Sequence, residues 1–486
     1  VVVHDANTSP AAGPSRGALV SLRVPTPRID PSAEVLGSYR PSIGCVIPAY
    51  NEADSITQVL ESLLNQTRLP DAIHVVVNNS TDDSVEVARR YAGLHVREVD
   101  GVDEFTEVYI HDIGDNPDKK VGALNYGFRL VDGVDYFLGV DGDTVAEPDA
   151  IEHLLTEIES DHRIGGISAI YDIDDRHIKG AVARFLIAGQ RQQFASFNMQ
   201  NLLRGRQMAV LGGQYSIFRM SALQRVMEET HQQHPWVRDS EIEDSLLSLQ
   251  IRSAGFLTKI SAHARAHVGG MLTLKSLDAQ QVKWNAGAID LMWPGQRGDT
   301  RGQPLHPNLR LRWFENFAML LNTYTRFSLV VLFICSMLMD AFVFSWVWLT
   351  PPLIATLLNL RIAHSMKART WRDYAFALLW FPAEIYIWAR IGHFVRAWAK
   401  FLSRSDADNW ALQSQAERGR GSHAYLAPYG IALVSAAALI LIFLQLPESW
   451  RIVALYVGWI SLAILTIAQS SWLFLKCLRN YRGYQV

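Results

Sequence analysis

At 486 residues, 49% of them hydrophobic, the chain exceeds one ordinary domain and has material for a large core, so two parts are expected. A formal net charge of −3 and a pI near 6.6 lack the bulk basicity of a domain that tracks phosphate backbones, so no nucleic-acid partner is expected. Cys45, Cys335 and Cys477 lie far apart without CxxC or Cys/His spacing, which excludes a disulfide framework or structural zinc and leaves small buried hydrophobes.

Residues 1–41 are rich in Pro, Ser, Ala and Gly, hold no apolar run long enough for a signal peptide, and read as a flexible tail. From 42 to about 310, short apolar runs alternate with helical patterns and evenly spread charge, which predicts an α/β domain. Ile43 to Ile47 reads as a buried strand ended by Pro48, followed by a turn with Tyr50, Asn51, Glu52 and Asp54 and an amphipathic helix from Ser55. A second strand leads into the polar loop Asn78 to Asp82 and another helix. Ligands on such βαβα sheets gather at the carboxyl ends of the strands, although Ser, Asn and Asp there also serve as plain helix caps. No GxGxxG follows the first strand, which argues against a dinucleotide dehydrogenase.

Further along, "KKVGALNYG" precedes "YFLGVDGDTV", in which Asp141 and Asp143 stand one residue apart at the end of an apolar strand. Two carboxylates so placed can hold a hard divalent cation; the plainer alternative is an Asp-Gly turn. "VLGGQYSIFRMSAL" supplies Gly212, Gly213, Gln214 and Arg219. Glu243 and Asp244 open a partly buried helix, as a general base or as an acidic first turn complementing the helix dipole. In "SLDAQQVKWNAG", Trp284 offers an indole face for stacking and Lys283 a cation, with an interfacial anchor as the alternative use of the Trp. His231 and His234 lack a third ligand and read as surface residues.

After about residue 311 the composition turns apolar. Transmembrane helices are expected near 325–346, 347–363, 426–446 and 452–475, the first two as a hairpin broken near Thr350, Pro351 and Pro352, with Asp340 inside or near the edge of the first. Between the pairs, 373–404 interleaves Arg390, Arg396, Lys400 and Arg404 with aromatic and aliphatic residues, as in a helix lying in the bilayer surface; a tilted span through 375–387 is the alternative. Arg361, Lys367, Arg369, Arg372, Lys476, Arg479 and Arg482 fall on one side of this topology, which puts the α/β domain in the cytoplasm of a multi-pass cell-membrane protein.

Taken in order, these stretches resemble the family 2 glycosyltransferases, which have a GT-A fold, and the resemblance covers roughly 42 to 287. Lys120, Ala123, Leu124 and Asn125 match that family's Lys-x-x-Ala-Leu-Asn element, and Asp141-Gly142-Asp143 lies where it places Asp-x-Asp. Glu243-Asp244 resembles its Thr-Glu-Asp motif, with Ile242 replacing Thr. Gln280, Lys283 and Trp284 resemble the Gln-x-x-Arg-Trp of cellulose, chitin and hyaluronan synthases, with Lys replacing Arg. Val77-Asn78 stands where many members have Asp-Asp.

The resemblance implies a nucleotide-sugar donor, UDP-linked, bound by Pro48, Tyr50, Glu52, Asn78, Lys120 and Asp141. It implies Mg²⁺ or Mn²⁺ on Asp141 and Asp143, and catalysis by Asp244, the base, with Glu243. Gly213, Gln280, Lys283 and Trp284 would serve acceptor and diphosphate, with Gly212, Gln214 and Arg219 a looser match to the acceptor loop. The expected activity is inverting transfer to a growing polysaccharide from within the lipid bilayer. Non-processive transfer to a polyprenyl-phosphate, glycolipid or protein is the alternative, and a non-catalytic nucleotide-sugar sensor or transporter component is a reading of another class.

Overall fold

The computed structural model describes residues 40–99, 101–174, 178–238, 242–293, 309–344, 346–403, 412–413, 415–416, 419–420 and 422–486. Nearly all of the expected tail and Arg404 lie outside them. The α/β part begins β1 (Ile43–Ala49), α1 (Ile56–Leu64), β2 (Ala72–Val77), α2 (Ser84–Arg89), β3 (Gly93–Val99) and β4 (Val102–Asp112). It continues α3 (Lys119–Leu130), β5 (Tyr136–Val140), β6 (Val145–Ala146), α4 (Ala150–Glu159), β7 (Ile164–Asp172) and α5 (Ala181–Leu203). It closes with β8 (Tyr215–Arg219), α6 (Met220–Thr230), α7 (Glu243–Ser253), β9 (Leu257–His267) and α8 (Leu274–Met292).

The nine strands form one mixed sheet in the order β3-β4-β2-β1-β5-β8-β7-β9-β6. Every residue of β1, β2 and β5 is buried, as expected of central parallel strands covered on both faces. α1 sets Ile56, Val59, Leu60 and Leu63 against one face, at the spacing of a single helical stripe, and α3 covers the other with Val121, Leu124 and Phe128. The strand directions decide where function can gather. β1, β2 and β5 run parallel, so Tyr50, Asn78 and Asp141 leave the same edge of the sheet. β8 runs against β5 with Val140 opposite Tyr215, which brings the preceding Gly213 and Gln214 to that edge as well. β7 and β9 add their carboxyl ends there, with Asp172 paired to His267.

The helical part comprises α9 (Arg310–Leu338), a 3₁₀ turn Trp346–Leu349, α10 (Thr350–Ser365), α11 (Trp371–Leu378) and α12 (Trp380–Ser403), then a 3₁₀ turn Ala424–Leu426, α13 (Ala427–Gln445) and α14 (Glu448–Leu478). Among the described residues three helices are long and apolar enough to cross a membrane: Arg312–Leu338, Ala424–Gln445 and Glu448–Leu478. Their side chains at Leu433, Val434, Ile464 and Ile467 are exposed, the pattern of helices whose solvent is apolar. The expected order of an α/β domain followed by a helical domain with membrane-type helices is therefore what the chain has.

The first hairpin differs from expectation. α9 starts at Arg310 and stops before Asp340, which is exposed in a left-handed turn (φ 54°), so the carboxylate lies past the helix and not within it. α10 replaces the second expected span. Its 16 residues reach about 24 Å at 1.5 Å each, short of a hydrocarbon layer of roughly 30 Å, and they include Asn359 and Arg361. The expected helix 373–404 is two helices broken at Leu379, because Pro382 lacks an N–H and its ring excludes a continuous helix through the preceding turn. α12 rests on α8: Ala397 packs with Ala286, Ile289 and Met292, and the Asp278 carboxylate pairs with Arg396.

Candidate active site

Lys120 is the centre of the edge. It lies in the first turn of α3, one residue after Lys119, whose left-handed backbone (φ 51°) turns the chain into the helix. Its Nζ is 2.8 Å from Asp141 Oδ1 and 3.5 Å from Glu243 Oε1. Asp244 approaches from α7, and its Oδ2 accepts the Gly213 N–H at 2.9 Å. Asp141 is tied to the same loop, its N–H donating to Gln214 O at 3.0 Å. One ammonium thus stands among three carboxylates from two elements far apart in sequence.

The electrostatics follow from that crowding of charge away from bulk water. Desolvation, with Glu243 next and Asp141 adding to it against the pull of Lys120, pushes the Asp244 carboxyl up to about 8. For Lys120, burial works against the charged form, but the attraction of Asp141, Asp244 and Glu243 outweighs it and raises the ammonium well above its ordinary value. A carboxyl held near the working pH and a permanently charged neighbour form the kind of pair used for proton transfer.

Of the other expected residues, Asp143, Pro48, Tyr50, Glu52 and Asn78 lie along the same edge. The Asp141-Gly142-Asp143 turn is closed by Thr144 N–H to Asp141 O at 3.1 Å, with Asp143 exposed. The loop after β1 packs directly on it: Ser55 Oγ lies 2.9 Å from Gly142 O and is bonded to Glu52, and a Cβ at Gly142 would sit 2.8 Å from Glu52 Cγ and 3.4 Å from Pro48 O. Tyr50 is exposed at the rim. Asn78 is buried, donates from Nδ2 to Ala49 O at 3.1 Å, and leaves its Oδ1 acceptor without a partner among the described residues.

Gln280, Lys283 and Trp284 share one face of α8 with Gly287, at i, i+3, i+4 and i+7. That face meets α7 at its start, since a Cβ on Gly287 would sit 2.5 Å from Ile242, the residue before Glu243. Lys283 is buried and Gln280 and Trp284 are half-buried. Arg219 is elsewhere. It ends β8 opposite Tyr136, at the other edge of the sheet, where it bonds Ile164 O at 3.1 Å and Ile158 O at 2.7 Å, so its role is to fasten strand ends. The antiparallel course of β8 carries Gly212 to Gln214 to the site and Arg219 away from it. His231 and His234 belong to no cluster of three metal-binding side chains among the described residues.

Several supports escaped the motif reading. Asn125, matched only as part of a motif, clamps the segment leading to α7: its Nδ2 donates to Trp236 O at 2.9 Å and its Oδ1 accepts the Trp236 N–H at 3.3 Å. The Trp236 ring lies among Phe128, Phe137 and Phe218. Tyr171 sits beneath the glycine loop, with its hydroxyl 3.1 Å from Gly212 O and accepting the Tyr215 N–H at 3.2 Å. Gly269, just beyond β9, lies against Asp143, because a Cβ there would be 3.0 Å from Asp143 Oδ2. No local pattern announces any of these contacts; a lone Asn, Tyr or Gly carries no signal of what lies across the sheet.

The family model described as "Glycosyl transferase family 2" matches residues 45–227. The poly-beta-1,6-N-acetyl-D-glucosamine synthase of Staphylococcus aureus strain MSSA476 is 22% identical over 247 residues, covering 51% of this chain and 54% of that protein. The enzyme of the same name from Staphylococcus epidermidis is 21% identical over 261 residues, covering 52% and 57%. The chain thus spans about half the length of the curated relatives it matches. Among solved structures, the mannosyltransferase PcManGT from Pyrobaculum calidifontis, in complex with GDP-Man and Mn²⁺, is 16% identical with a TM-score of 0.46, covering 76% of this chain and 89% of that one. S. aureus TarS 1-349 in complex with UDP is 14% identical with a TM-score of 0.35, covering 75% and 92%. With the motif elements from Pro48 to Gly213 inside the matched stretch, residues 45–227 are a family 2 glycosyltransferase domain.

Proposed function

We propose that the chain is a membrane-embedded inverting glycosyltransferase that moves a sugar from a nucleotide-sugar, UDP-linked by our reading, to a hydroxyl of a growing polysaccharide. The observation that carries this is Asp244: half-buried, oriented through Oδ2 by the Gly213 N–H, and set beside Lys120 and Asp141 at the ligand edge of the sheet. In the deprotonated form its carboxylate takes the proton from the acceptor hydroxyl as that oxygen attacks the sugar. Glu243 and Asp141 hold Lys120 in place, and in this reading its charge offsets that of the departing diphosphate.

Asp141 and Asp143 are hard oxygen donors flanking one glycine, with Asp143 open to solvent, a donor set that fits Mg²⁺ or Mn²⁺. When bound there, such an ion supplies charge neutralisation for the departing nucleoside diphosphate. Pro48, Tyr50, Glu52 and Asn78 line the donor half, where the unpartnered Asn78 Oδ1 is an acceptor for a base N–H. Gln280, Lys283 and Trp284 belong to the acceptor side, on the helix that links α7 to α12. The polymer-forming activity in the relatives' names and the three membrane-type helices support a polysaccharide product and a bilayer setting. The basic residues from Arg361 to Arg372 and from Lys476 to Arg482 support a cytoplasmic α/β domain.

The test is to incubate the purified chain in detergent or nanodiscs with UDP-, GDP- and dTDP-sugars and Mg²⁺ or Mn²⁺. Nucleotide release and product length are measured together. Release from a UDP-sugar with products of many sugars is expected. Single-sugar products on a lipid would replace polymer extension by non-processive transfer, and binding without release from any donor would overturn the enzymatic reading.

A further inference from the structure

Arg191, in the middle of α5, is 2% exposed, yet it belongs to none of the motifs. All five of its N–H groups have acceptors. Nε and Nη2 grip the two oxygens of Asp373 at 2.9 and 3.1 Å, Nη1 reaches Asp172 Oδ1 at 3.1 Å and also Ile173 O, and Nη2 reaches Ala368 O at 2.8 Å. The two carboxylates belong to different parts of the molecule. Asp373 caps α11 by accepting the Thr370 N–H at 2.7 Å, in the segment that leads into α12. Asp172 is the last residue of β7.

That strand end touches both loops that flank the chemistry. Tyr171, next to Asp172, holds Gly212 and Tyr215, and Gly213 in turn holds Asp244. Asp172 itself accepts the Val268 N–H through its backbone carbonyl at 2.9 Å, one residue before the Gly269 that lies against Asp143. A second tie runs alongside, Lys367 Nζ to Glu147 Oε2 at 2.7 Å. A planar, doubly gripped guanidinium defines both distance and angle between its partners, which a flexible ammonium cannot do.

We propose that Arg191 is a positioning residue for sugar transfer: through Asp172 and Asp373 it holds the Gly212–Gly213 and Val268–Gly269 loops in register with α11 and α12, so that the acceptor coming from the membrane side meets Asp244. This rests on the glycosyltransferase reading above. It predicts a division of effects. Donor binding uses the β1, β2 and β5 edge, which Arg191 does not touch, and transfer uses the loops that it does; since Gly269 lies against Asp143, the division is read at saturating metal.

The experiment uses the whole chain with Arg191→Lys, and with Asp373→Asn as the milder variant in case the first folds poorly. Hydrogen exchange is followed in 210–216, 266–271, 366–373 and, as a reference, 43–50. Faster exchange in 210–216 and 266–271 as well as in 366–373, with 43–50 unchanged, is expected. In the same preparations the ratio of transfer to donor hydrolysis should fall about tenfold or more, the scale of a misplaced reacting group, at unchanged KM for the donor. Exchange that rises only in 366–373 means that Arg191 merely fastens α11, and an unchanged ratio likewise overturns the proposal. If wild type transfers no sugar, the functional reading fails, and the exchange pattern still decides whether the strand end and α11 are coupled.

Discussion

Gly213 gives the sharpest test of the site because its missing side chain is a measured space. A Cβ built there falls 2.5 Å from Asp244 Oδ2 and 2.8 Å from Lys120 Nζ, where ordinary contact begins at 3.4 Å. Gly213→Ala must therefore displace the carboxylate by about 0.9 Å, and both neighbours are half-buried side chains already tied into one cluster, Lys120 by Asp141 and Asp244 by the Gly213 N–H. The backbone at 213 is not left-handed, so alanine fits the chain and the strain falls on the pair. Overpacking of this size costs about 1–3 kcal/mol of stability, and moving a base by nearly 1 Å costs about 10²-fold in rate. The assay is kcat for transfer, normalised to folded protein by thermal melting, with donor affinity from calorimetry. Gly269→Ala is the companion: its Cβ meets Asp143 Oδ2 at 3.0 Å, a milder contact at an exposed side chain, so it should raise the metal concentration needed for half activity and leave kcat at saturating metal nearly unchanged. Transfer by Gly213→Ala within twofold of wild type, with Asp244 titrating as before, would refute the placement of the base against this loop.

Asp244→Asn should lower turnover by roughly 10²-fold or more while donor affinity stays within a few-fold, and equal losses in both would mean a structural role. Because the Asp244 carboxyl is pushed up to about 8, kcat/KM should rise with pH through that value; a profile flat from pH 6 to 9 would count against it. The same raised value means that its contribution to stability is complete below the ordinary carboxyl range and is lost as pH rises through about 8, so Asp244→Asn should gain Tm relative to wild type at pH 9 but not at pH 4. Asp143→Asn should abolish metal-dependent transfer, and full activity of this variant in EDTA would remove the metal role. Trp284→Ala should stop transfer while slow donor hydrolysis continues, with partial recovery in Trp284→Phe; an unchanged ratio would make the Trp an anchor only.

Local pattern carried much of this. β1, β2 and β5 are apolar runs followed by polar loops, although β1 runs through Pro48, expected to end it, as far as Ala49; α1 has its stripe at helical spacing, because both elements are dictated by residues a few positions apart. The Asp141-Gly142-Asp143 pair at a strand end and the Gln280, Lys283, Trp284 stripe are visible for the same reason, as is the long uncharged run that became α13. Helix ends in the membrane part were harder to read. Hydropathy is smooth across 327–360, whereas α9 stops at the left-handed turn of Asp340 and α10 begins only at Thr350, after a 3₁₀ turn.

Composition and spacing, then, determined that this chain has an α/β domain and an apolar helical one, since those depend on contiguous residues. Tertiary structure alone decided that β8 runs antiparallel, which brings Gly213 to Asp244 and takes Arg219 to the far edge. It also decided that Arg191 meets Asp373, 182 positions away. The reason is physical: a strand's direction and a buried ion pair are settled by which partner completes the sheet or satisfies the charge, and that partner leaves no mark in the neighbouring sequence.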